Sequence, residues 1–101
     1  MEYWASCPDL NYELASHLPD VATEISYRTF RRHVSREEME RNPWGLDALY
    51  RISCRDNWSV SFWRSETPSG VEVYYFCWSG FEIYFSSSNI DIEAETELIP
   101  E

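Results

Sequence analysis

The chain contains no Lys and no Gln. All eight of its cations are therefore Arg, set against eighteen carboxylates for a formal net charge of -10. A surplus of that size argues against a polyanion as partner and for a protein with a basic surface. Genome base composition would be enough to explain the missing residues without selection on function. The physical consequence is that every cation carries a planar fork of donors suited to paired or stacked contacts.

Clustered metal ligands are missing too. Cys7, Cys54 and Cys77 have no CxxC spacing, and the shortest Cys–His separation, Cys7 to His17, is ten residues. A structural zinc site needs four such ligands at short spacings. Asp91, Glu93 and Glu95 lack the glycine and closing glutamate of a calcium loop. No metal and no cofactor is expected. The start, "MEYWASCPD", lacks the basic and apolar segments of a signal peptide, and no apolar run approaches the roughly 18 residues that span a membrane. The expected compartment is the reducing cytoplasm, with the thiols acting as small buried hydrophobes.

Nor does the chain carry a motif for catalysis. His17, His33 and the three Cys stand in no recognisable nucleophile–base arrangement. A non-enzymatic protein is expected.

What is present is bulk. The 101 residues are 44% hydrophobic and include five Trp, seven Tyr and five Phe, enough for one modest core in a single domain spanning 1–101. Charge is divided along that domain: residues 1–20 carry -4, residues 21–64 hold every Arg for +2, and residues 65–101 carry -8.

Leu10, Leu14 and Leu18 recur four apart behind a capping-box-like Ser6 and Asp9, which predicts a helix that Pro19 ends or kinks. Residues 24–34, "EISYRTFRRHV", read as a strand from their β-branched and aromatic content. Ser35 and Glu38 open a short second helix. After Ala48, strands follow one another: "LYRISC", a turn at "RDN", and "WSVSFWR" with Trp58, Val60 and Phe62 on one face. "SETPSG" is a loop. "VEVYYFCW" and "FEIYF" form a hairpin across Ser79 and Gly80, setting Trp78 opposite Phe81, Phe76 opposite Ile83 and Tyr74 opposite Phe85 on the core face. "SSSN", residues 86–89, is the candidate hinge.

The final segment, "IDIEAETELIPE", alternates Asp91, Glu93, Glu95 and Glu97 with apolar neighbours and predicts an acidic edge strand over 90–98. The fold class is therefore α+β, an antiparallel meander of four to five strands with one or two short helices packed on one face.

Two surfaces emerge as binding candidates. On a strand the four carboxylates would advance about 6.6 to 6.8 Å per pair of residues, near the spacing of two DNA phosphates, although charge that merely protects an edge has the same pitch. Tyr75, Tyr84, Trp63 and Glu82 fall on the second sheet face, which is free for a partner unless the first helix covers it. Together these residues predict a small acidic binding protein that occludes the surface of a larger, basic or nucleic-acid-binding protein. Phage anti-defence inhibitors, including anti-CRISPR proteins and DNA mimics, supply the class analogy. Toxin-immunity or adaptor proteins are the alternative, as is a single-stranded RNA module that uses Tyr27, Phe30 and the Arg of residues 24–36. An aromatic face would serve a homodimer equally well.

Overall fold

Between Glu66 and Glu72 the chain must reverse, and Gly70 makes that possible with φ of +95°, a conformation most side chains resist. Thr67 N–H donates to Val71 O at 2.9 Å, Gly70 N–H donates to Thr67 O at 2.8 Å, and the Thr67 hydroxyl accepts from Val71 N–H at 3.0 Å. This turn joins two of the strands in the computed structural model, which describes residues 5–6, 10–35, 51, 55, 59–78, 81–86 and 88–100.

The strands are β1 (Ala5–Ser6), β2 (Thr23–Ile25), β3 (Val60–Glu66), β4 (Glu72–Trp78) and β5 (Phe81–Ser86). They form one antiparallel sheet in the order β1-β5-β4-β3-β2. The helices are α1 (Tyr12–His17), running into a 3-10 turn at Leu18–Val21, then α2 (Tyr27–His33) and α3 (Ile92–Glu97). The α+β class and the antiparallel sheet hold, and the β4–β5 register has Trp78, Phe76 and Tyr74 opposite Phe81, Ile83 and Phe85 as read from the sequence.

The helices divide between the two faces of the sheet. On one, Phe30 and Val34 of the α2 segment pack against Phe62, Tyr74, Phe76, Ile83 and Phe85. On the other, Leu18 packs against Val73, Tyr75 and Tyr84, with Leu10, Ala15 and Ile90 around them. A buried polar contact pins this second layer, because the Ser65 hydroxyl donates to Leu18 O at 2.8 Å. Left unpaired, that carbonyl would carry a desolvation penalty of about 1–3 kcal/mol.

Three expectations give way to helical periodicity or to local capping. Residues 24–34 are a strand only at their start; Ser26 then caps a helix by accepting from Thr29 N–H at 3.1 Å. Phe30 and Val34 lie four apart and share the buried face, a spacing that favours helix over alternation. Ser6 belongs to β1, and the cap of α1 is Asn11, whose side chain accepts from Glu13 N–H at 2.8 Å. Of the stretch read as "LYRISC" and "RDN", Arg51 and Arg55 have helical backbone and the other residues lie outside the described ones.

At the candidate hinge, Ser86 Oγ donates to Ser88 O at 2.6 Å and accepts from Ser88 N–H at 3.3 Å, while Ser87 lies outside the described residues. The predicted capping box at Ser35 and Glu38, the position of Trp58, and the Ser79–Gly80 turn each fall wholly or partly outside the described residues.

Candidate interaction surface

The acidic segment is α3, and this overturns the strand expected over 90–98. Asp91 caps it, accepting from Ala94 N–H at 3.2 Å. A cap residue followed by carboxylates in the first turn suits the positive end of a helix dipole. The row of four acids is thereby broken. Asp91 is spent on the cap, Glu93 and Glu97 share an exposed face four residues apart, and Glu95 turns inward and is only 6% exposed. Alternation placed the four together, whereas a 3.6-residue period separates Glu95 from its neighbours.

Glu95 holds α3 to the β3–β4 turn. Its carboxylate accepts from Ser69 N–H at 3.0 Å and from the Ser69 hydroxyl. Burial alone would raise its pKa; bonds from the Ser69 hydroxyl, the Ser69 N–H and the Thr67 hydroxyl prevail and hold it below the ordinary carboxylate value. Glu95 is thus a structural latch rather than a contact for a partner.

The aromatic residues assigned to the second face are covered as well. Tyr75 is 3% exposed and Tyr84 5%, so neither can anchor a partner as expected; α1, the 3-10 turn and Ile90 close over their side of the sheet. Their rings pack against each other, 5.1 Å between centroids. Burial raises the pKa of both phenols, helped for Tyr84 by its hydrogen bond to Glu82. Tyr84 O–H donates to Glu82 Oε2 at 2.6 Å, leaving the Glu82 side chain exposed at the edge of the cluster. Burial also pushes the neighbouring Cys77 thiol to about 11, aided by the Glu82 charge and opposed by a bond with Ser61. A thiol at that value is not a nucleophile near neutral pH.

Trp63 differs from the two tyrosines. It is half-buried, lies in register between Glu24 and Tyr75, and stacks on Tyr75 at 12° between ring planes. Its indole N–H donates to Ser61 Oγ at 2.8 Å, which fixes the ring.

The largest pattern is one of sign. The layer formed by α1, the 3-10 turn, α3 and the sheet face beneath them holds Glu13 and Asp20, Glu24 and Glu82, then Asp91, Glu93, Glu95 and Glu97, with no Arg among its described residues. The opposite layer carries Arg28, Arg31 and Arg32 on α2 and, on the sheet, Arg64 together with Glu66 and Glu72, which share the face of Phe62 and Tyr74. Arg31 Nη1 donates to the Tyr27 hydroxyl at 2.8 Å, and Arg64 is paired with Glu72. Among the described residues the acids thus gather mainly on one side of the sheet and the α2 cations on the other. Glu13, Asp20 and Glu24 were not among the expected contacts; their signal was only the acidic excess of the first twenty residues and a strand read from residue 24 onward.

Base stacking on the Arg-rich segment is ruled out for Phe30, which has no exposed surface, while Tyr27 is stacked on Phe62 at 5.3 Å. A cleft lined by Val21, Thr23, Arg64, Ser65 and Glu66 holds about 150 Å³. That is below the roughly 300–1,000 Å³ of small-molecule sites. Among the described residues there is no cluster of three potential metal ligands, and no helix is long and apolar enough to cross a membrane. In comparisons with known proteins, no family model, curated protein or solved structure matches the chain.

Proposed function

We propose that this is a non-catalytic binding protein that inhibits or regulates a larger protein by laying its acidic layer over a basic surface. The observation that carries this reading is the uneven sharing of charge among the described residues: eight carboxylates, all exposed but Glu95, lie on the α1–α3 side with no Arg, while Arg28, Arg31, Arg32 and Arg64 stand on the other beside Glu66 and Glu72. Such an arrangement orients the encounter as well as attracting it, since only one side of the molecule is complementary to a cationic groove. Enzymes that handle nucleic acids present grooves of that kind. An anti-defence inhibitor, of the anti-CRISPR class, is the biological role that this surface fits. The mechanism rests on a helical acidic surface and needs no row of carboxylates at phosphate spacing.

The test is capture of the partner from host lysate by wild type and two charge-reversed variants. Glu93→Arg with Glu97→Arg is expected to lose the partner, and Arg28→Glu with Arg32→Glu to retain it. The opposite pattern, or loss in neither variant, overturns the reading.

A further inference from the structure

Within that acidic layer one position combines an aromatic ring with an uncommitted carboxylate. Glu24 stands directly opposite Trp63 across the β2–β3 ladder. Side chains paired in this way share a sheet face, with Cβ atoms about 4.5–5.5 Å apart. Tyr75, on the β4 side, stacks with the indole, so the strand bearing Glu24 lies on the other side of Trp63. The indole donor is occupied by Ser61, which leaves the ring with its π surface rather than its N–H to offer. Glu24 is exposed, and no Arg of the described residues pairs with it.

We infer that Trp63 and Glu24 seat an Arg side chain of the partner protein. A guanidinium is flat, so it lies along the indole while its N–H edge donates to the carboxylate, two contacts that a lysine ammonium cannot make in one plane. Charge favours the same occupant, because the surrounding layer is acidic and Glu82 lies two strands away on the same face. The inference rests on the proposed function and sharpens it, naming the residue type that the partner must present.

The experiment follows the Trp63 indole N–H by NMR, assigned with Trp63→Phe, during titration with the blocked tripeptide Gly-Arg-Gly. The same peptide with citrulline, a neutral isostere, is the control. The Arg peptide is expected to shift this resonance saturably and the citrulline peptide to leave it in place. Glu24→Gln, on an exposed edge strand and so without consequence for folding, should weaken the Arg peptide by roughly two- to fivefold, the loss of one exposed ion pair. Equal shifts from both peptides, or an unmoved resonance, overturn the inference. A resonance that moves with the protein's own concentration and not with peptide assigns the seat to a second copy and equally overturns it. Loss of partner capture in the Glu93 and Glu97 variant alone, with Glu24→Gln and the Trp63 response silent, leaves the proposed function standing and removes only this seat.

Discussion

The two faces of the sheet solve the same packing problem with different materials. On the α2 side the cover is aromatic: Phe30 meets Phe62 at 4.8 Å and Phe85 at 5.8 Å between ring centroids, and His33 stacks on Tyr74 at 4.6 Å. On the α1 side the apolar cover is aliphatic, and the layer is fastened by polar contacts, Ser65 to Leu18 and Glu95 to Ser69. One side is held by apolar bulk, the other by fewer apolar contacts and directed hydrogen bonds. The contrast shows how a chain of net charge -10 can gather acids on one surface: the fastening there uses a carboxylate instead of excluding it.

The comparison breaks most visibly at Phe30. Phe30→Ala should destabilise the fold by about 3–5 kcal/mol, since the ring is fully buried in the larger aromatic cluster. Urea denaturation reads this directly. Glu95→Ala is expected to cost about 1–3 kcal/mol by removing the charged acceptor of the two Ser69 hydrogen bonds that hold α3 to the turn. Protonation should loosen the same latch. Because the folded-state pKa of Glu95 is depressed, its contribution is present above the unfolded value and is lost as pH falls through the folded one. Melting of wild type and Glu95→Gln between neutral pH and about pH 3 checks this, with the acid-side decline shallower in the variant.

Gly70→Ala should cost around 1 kcal/mol through its positive φ alone, because a Cβ there meets no atom within 4 Å. Its effect falls on the turn that receives α3, so hydrogen exchange should quicken on the α1 side before the α2 side. The smallest stability change belongs to Glu93→Arg with Glu97→Arg, within about 0.5 kcal/mol, as both side chains are exposed. Unchanged stability with lost binding would separate the surface from the scaffold.

The sequence made the central hairpin legible because two signals agreed there. A run of β-branched and aromatic residues from Val73 to Trp78, interrupted only by Cys77, marked the strand, and the Ser79–Gly80 pair, spaced for a two-residue turn, set its register against the next. Where the signals conflicted, alternation misled. "IDIEAETEL" satisfies a two-residue period along its whole length, yet Asp91 as a cap and the half-buried trio Ile92, Thr96 and Ile99 satisfy a helical one. Tyr27, Phe30 and Val34 show the same three-and-four spacing inside a run of residues that favour strands. The inward turn of Glu95 was illegible for a different reason: its partner Ser69 is 26 residues away, and only the tertiary fold brings them together. The burial of Tyr75 and Tyr84 likewise depended on where the first helix docks, which a single sequence leaves open.

The most direct test of the charge-segregated surface is the salt dependence of binding to the captured partner, measured for wild type and for both reversed pairs. The account predicts that wild-type affinity falls steeply as ionic strength rises, that Glu93→Arg with Glu97→Arg removes both the affinity and its slope, and that Arg28→Glu with Arg32→Glu changes neither greatly. Affinity that ignores salt and survives reversal on α3, but collapses on reversal of α2, would contradict it.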